Sequence, residues 1–245
     1  MAQLQGDARN ILVGASPLFL SVDDSTVSGY DRSMEAGVTN AGTAAVGSVK
    51  PSTLVPAFAS GASYTDTLNA ATPNKEGGVT AAAYRNVGFT NNGLQISYQP
   101  TYDSVTVDQL LDTAKLFKSA MQVQISTEMA EGTLENVLAV FGQKGNSLES
   151  TGSDLTAVDT LKLEAGALGA APTERQLIAV GQAPTAEATR TERVYYARRV
   201  LSVEQSQFSL ARTAATTFPV TFRLLPDAEA VGSEYGKIID RVLAI

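Results

Sequence analysis

Two pairs of carboxylates are spaced for general acid/base work or for holding a hard cation: Asp23 beside Asp24, and Glu128 three residues before Glu131. Neither belongs to a ladder of alternating oxygen ligands, so solvated turn carboxylates are the favoured reading of both. The chain has no histidine, which removes the usual general base near neutral pH, the nucleophile–histidine pairs and the commonest transition-metal ligand. It has no cysteine, hence neither a thiolate nucleophile nor a disulfide. No lysine lies three residues after a serine, which excludes the Ser-x-x-Lys dyad. Gly142-Gln143-Lys144-Gly145 lacks the Gly-Lys-Ser/Thr ending that cradles phosphate and reads as a turn. A non-enzymatic protein is expected, with no catalytic residues, cofactor or metal.

The formal charge of −7 disfavours tight general binding to nucleic acid, which neutralises phosphates with lysine and arginine, but not a surface past which DNA merely slides. The apolar run Ile11 to Val22 is broken by Gly14, Ser16 and Pro17 and is too short for a membrane helix. With Asp7 offsetting Arg9 and Asp23-Asp24 following, it reads as a first strand and not as a signal peptide or membrane span. The absence of cysteine leaves the redox compartment open.

At 245 residues, 44% hydrophobic and 18% charged, the chain is expected to fold as a single domain, 1–245. Val, Thr, Ile, Phe and Tyr in short alternating stretches make it mainly β. Residues 1–10 form a polar arm. Residues 25–83, rich in Gly, Ala, Ser and Thr, read as one long loop, with Leu54, Val55, Phe58 and Tyr64 as apolar anchors for an adjacent subunit. Leu94, Ile96 and Tyr98 alternate with Gln95, Ser97 and Gln99, and a second strand follows Pro100 through Val105 and Val107. Met121, Val123, Ile125 and Thr127 alternate with Gln122, Gln124, Ser126 and Glu128, so paired strands would present one polar, neutral-to-acidic face. That face could equally be ordinary solvent exposure.

Thr133 suits an N-cap, Leu134, Val137, Leu138 and Phe141 follow helical spacing, and Gly142 suits the stop, giving one short helix over 133–142. Further strands are expected at Leu161–Leu163, Gln176–Val180, Tyr195–Val203, Gln207–Leu210 and Phe218–Leu224. Arg190, Arg193, Arg198 and Arg199 could pair with acidic residues of another copy or lie on a solvated strand face.

In this order the elements resemble the major tail tube proteins of long-tailed, non-contractile (siphovirus-type) bacteriophages. The resemblance is carried by the strand Ile11-Leu12-Val13-Gly14-Ala15-Ser16-Pro17-Leu18-Phe19-Leu20, by Val87-Gly88-Phe89-Thr90-Asn91-Asn92-Gly93-Leu94, and by the Val107-Asp108-Gln109 step. The helix with Thr133-Leu134-Glu135-Asn136 and the ending Phe218-Pro219-Val220-Thr221-Phe222-Arg223-Leu224-Leu225-Pro226-Asp227 complete it. It implies a β-sandwich or barrel of two packed sheets with a flanking helix, assembled into hexameric rings that stack head-to-tail as a tube. It also implies tape measure, tail tip and tail terminator proteins as partners, and a virion location after assembly in the bacterial cytoplasm. DNA would pass through the channel without specific binding, with no membrane involved. On this resemblance Gln95, Ser97, Gln99, Gln122, Gln124, Ser126 and Glu128 would face the lumen. The alternatives are another phage structural ring protein or a carbohydrate-binding or adhesion module; the latter normally displays aromatic platforms, and the chain has no Trp and 8 Tyr.

Overall fold

A computed structural model of the chain describes residues 16, 18–21, 84–110, 112–151, 158–165, 167–169, 172–183, 192–203, 206–208, 210 and 215–241. The arm 1–10, the loop 25–83 with Leu54, Val55, Phe58 and Tyr64, the Asp23-Asp24 pair and Arg190 lie outside these residues.

The described residues are mainly β with one α-helix. Strands β1 (Leu18–Ser21), β2 (Tyr84–Asn86), β3 (Thr90–Thr106), β4 (Thr113–Met129), β7 (Arg175–Gln182), β8 (Glu192–Ser202), β9 (Phe218–Leu224) and β10 (Gly236–Arg241) form one antiparallel sheet. Helix α1 (Leu134–Val140) follows β4, and β5 (Leu148–Thr151) pairs with β6 (Val158–Leu161) in a separate two-stranded sheet.

The large sheet runs β2-β1-β7-β8-β9-β4-β3, with β10 also on β8. One edge of β8 pairs with β7 from Val200 down to Glu192. The other edge is divided: Glu192 to Ala197 pair with β10, and Val200 to Ser202 with β9. A single buried cluster takes Leu18 and Leu20 from β1, Leu177 and Ala179 from β7, Val123, Ile125 and Met129 from β4 and Phe218, Val220, Phe222 and Leu224 from β9. Two halves of one sheet, joined through β8, thus enclose one core. In β9 the buried Phe218, Val220, Phe222 and Leu224 alternate with Pro219, Thr221 and Arg223, the period-two pattern of a strand with one face inside. β7 shows no alternation, because Arg175 to Val180 are all buried.

Helix α1 is short and held at both ends. Thr133 is extended and its hydroxyl accepts from the Asn136 N–H (3.3 Å). At the other end Gly142 (φ +64°) donates to the Ala139 carbonyl and Gln143 to that of Leu138, a Schellman closure that needs a left-handed residue. Buried Asn136 then ties three segments together. It accepts from Arg85 Nη1 (2.6 Å) and donates to the carbonyls of Val87 (2.8 Å) and Glu131 (2.9 Å). Arg85, itself 4% exposed, also donates to the Glu135 carbonyl (2.8 Å).

Of the expected first strand Ile11–Val22, Leu18–Ser21 form β1, and the remainder other than Ser16 lies outside the described residues. Elsewhere the structure departs from the sequence expectations. β3 runs straight through Pro100 to Thr106, because among the described residues β3 pairs with β4 alone and a missing N–H is tolerated on an edge strand; Val107 falls in the turn. Leu163 is exposed beyond the end of β6, and Gln207, Phe208 and Leu210 are not in a strand. β10 was not anticipated.

Replacing Asn136 with alanine leaves two carbonyls and a buried guanidinium short of a partner, so Asn136→Ala should cost about 2–4 kcal/mol. A urea denaturation midpoint unchanged from wild type would show that the Arg85–Asn136 junction does not hold the helix to the sheet.

Candidate assembly surface

β3 and β4 are 17 residues each, far longer than β9, which covers β4 only from Gln124 to Met129. From Thr113 to Val123 β4 has no neighbour but β3 among the described residues, and β3 has none but β4. Among the described residues the distal half is therefore a two-stranded ribbon with no further strand on either backbone edge, and residues 101–110 and 112–120 are all exposed. Such ribbons are marginal alone in water, and their edges template further strands.

The seven polar residues singled out by alternation come together. Gln95 is in register with Ser126, Ser97 with Gln124, Gln99 with Gln122, and Asn91 with Glu128, whose carboxylate accepts from the Asn91 amide (3.3 Å). β9 extends two of these rows, with Thr221 beside Ser126 and exposed Arg223 beside Gln124. The face is thus polar but carries one cation that alternation within β3 and β4 did not include. A polar depression of about 210 Å³ lies on it, lined by Asn92, Gln95, Ser126, Glu128 and Thr221 among others.

Two bulges set the limits of this face. Between Asn91 and Gln95, Asn92 (φ +60°) and Gly93 (φ +67°) take left-handed conformations, and the Gly93 carbonyl accepts from the Thr127 hydroxyl (2.8 Å). Between the Thr101–Ala120 and Tyr102–Lys118 pairs, Ser119 is the extra residue. Beyond it the strand β4 presents opposite parity: Asp103 meets Phe117, and Val105 meets Lys115, on the side of the glutamines. The other side carries Ile96, Tyr98, Tyr102 and Leu116, each 45% exposed or more, and Lys118 Nζ lies 5.6 Å from the Tyr98 ring centre.

At the base of the ribbon Gly88 (φ +82°) packs against Glu131, whose carboxylate accepts from the Phe89 N–H (2.9 Å). A side chain at Gly88 would collide with that carboxylate. Glu131 therefore serves as a backbone acceptor, and Glu128 accepts from Asn91. Among the described residues no three His, Cys, Asp or Glu converge to hold a metal.

Of the arginine cluster, Arg193, Arg198 and Arg199 are each held by partners within their own chain. Arg193 forks onto Asp240 (2.6 and 2.7 Å), and this hydrogen bond, outweighing burial, holds its guanidinium above the ordinary arginine range. Arg199 forks onto Glu174 (2.7 and 2.7 Å), and buried Arg198 donates to the Ser233 carbonyl and hydroxyl. The same turn is braced by Glu234, which accepts from the Gly232 N–H (2.9 Å) and whose carboxyl is lowered chiefly by that bond.

The distal ribbon does not lean on its own body, so Leu110→Ser and Leu116→Ser should each change the stability of the dilute protein by less than about 0.5 kcal/mol. Phe222→Ala in the core should cost about 3–5 kcal/mol. Denaturation of the three variants checks the contrast; a large loss at Leu110 or Leu116 would mean that the ribbon is already packed. Neither a protein-family model nor a curated protein sequence matches the chain.

Proposed function

We propose that this chain is a non-enzymatic virion subunit that polymerises with copies of itself into a bacteriophage tail tube through which DNA passes. The observation that carries the reading is the β3–β4 ribbon: strands of 17 residues whose outer halves have no further strand on either edge among the described residues. Edges of that length promote uncontrolled aggregation unless they are paired, and pairing them between copies in a closed ring removes them. In this reading the ribbons of six copies join into the wall of a channel, and the rings stack head-to-tail.

The rows of Gln95, Ser97, Gln99, Gln122, Gln124 and Ser126, with Glu128 at their end, then line the lumen. Neutral amides and hydroxyls offer phosphates no fixed countercharge, so DNA can slide. Arg223 is the one cation that β9 adds to these rows, and it lies beside Gln124. The chain's net charge of −7 acts in the same direction. Tape measure, tail tip and tail terminator proteins would be the neighbours at the tube's interior and ends.

Concentrated purified protein should form hollow tubes of uniform width in negative-stain electron microscopy. Discrete closed rings that never stack would replace the tube with a tail-tip or connector ring, and compact particles unrelated to rings would remove the reading. Gln122→Arg together with Gln124→Arg should leave tubes intact but slow DNA ejection, because each phosphate contact adds affinity. Unchanged ejection from particles carrying both substitutions would place this face away from the DNA.

A further inference from the structure

The division of β8 between β10 and β9 leaves a gap. β10 turns away along Ala197 to Glu192, while β9 leads from Val200 into β4 and β3. Between the two arms opens an apolar cleft of about 250 Å³. Its walls include Ile96, Tyr98, Val123, Tyr195 and Ile238, of which Tyr98 and Ile238 are 62% and 66% exposed. β10, which borders it, pairs with β8 alone among the described residues, so the cleft offers an apolar floor beside an unpaired backbone edge. Large side chains left uncovered in this way mark a docking surface.

We propose that this cleft is the seat for the ribbon tip of a second copy, the turn at Val107 to Leu110. This rests on the reading of the chain as a self-assembling subunit and names the surface that receives the ribbon. Two observations select the occupant. The tip carries the apolar side chains Val107 and Leu110, 39% and 57% exposed. The charges at the tip and just beyond it, Asp108 and Asp112, are both acidic, whereas the charged residue among the cleft's lining is Lys237, with Lys118 over the Tyr98 ring beside it. Charge complementarity of this kind orients a partner even where it adds little affinity.

The tip cannot fill the cleft of its own chain. Tyr98, in the cleft wall, and Val107, at the tip, are nine residues apart along an extended ribbon, a separation of about 30 Å. The contact must therefore be made between copies. Because tip and cleft are different surfaces, each copy gives one and receives one, a heterologous contact that propagates in one direction.

The absence of native cysteine makes the test direct. Leu110→Cys and Ile238→Cys proteins are mixed at high concentration and oxidised mildly. Both positions are exposed, so neither substitution threatens the fold. A disulfide dimer is expected from the mixture at about tenfold the yield obtained when Val231→Cys, on an exposed turn, replaces Ile238→Cys, because seating raises the effective concentration of the two thiols. The chain carrying both Leu110→Cys and Ile238→Cys should give a ladder of multimers. Yield no better than the Val231→Cys control overturns the seat even if the wild-type protein forms tubes. A ladder without hollow tubes keeps the seat and removes the tube.

Discussion

Strand β8 has more partners than a strand has edges, and the remaining architecture follows from how it shares them. A strand can offer one hydrogen-bonded row on each side. β8 gives one row wholly to β7 and splits the other, its first six residues to β10 and its last three to β9. The sheet must diverge at the split, since β10 and β9 leave the same edge in succession. That divergence lets β1 and β7 face β4 and β9 across a common core, so Leu20 and Phe222 belong to one buried cluster while being strands apart in the sheet. It also leaves the apolar cleft, because the inner face of the ribbon continues past the point at which β10 could cover it.

The buried polar groups reinforce the places that this geometry strains. Arg175 donates to the Ser21 carbonyl (3.0 Å), and the Gln176 N–H to the Ser21 hydroxyl (2.8 Å), where β1 ends against β7. Arg85 and Asn136 do the same between β2 and the helix. Arg198 and Arg199 fix the turn between β9 and β10 to β8, through Ser233 and Pro226. Each of these arginines donates to a backbone carbonyl of another segment. A cluster of arginines that reads in sequence as a basic patch is in the fold a set of internal braces.

What could be read from sequence was local and periodic. β9 was legible because it has one wet face, and the helix because Thr133 and Gly142 close it chemically at either end. The seven polar residues of the ribbon were legible as alternation, but their pairing across strands depends on a register that two bulges determine, and Ser119 carries no mark in the sequence. Pro100 misled because its cost depends on whether the strand lies at an edge. Asp240 and Glu174 lie 47 and 25 residues from the arginines they hold, so the ion pairs could not be found from spacing. β10 is six residues with mixed polarity, distinguished only by where β8 leaves room for it.

The Ser119 bulge gives a single ribbon two chemical faces in succession. Up to Gln99 and Gln122, one side is amides and hydroxyls, and the other side, with Ile96 and Tyr98, turns towards the cleft. Past the bulge Phe117 and Val105 appear on the side of the glutamines, interleaved with Asp103 and Lys115, and the run of amides and hydroxyls ends. A ribbon with one uniform polar side would line a channel but give its tip nothing to hold; one that was apolar throughout would bind any exposed edge it met. One inserted residue divides the two tasks along the same pair of strands. The proximal half is suited to a surface that must not adhere, and the distal half to one that must.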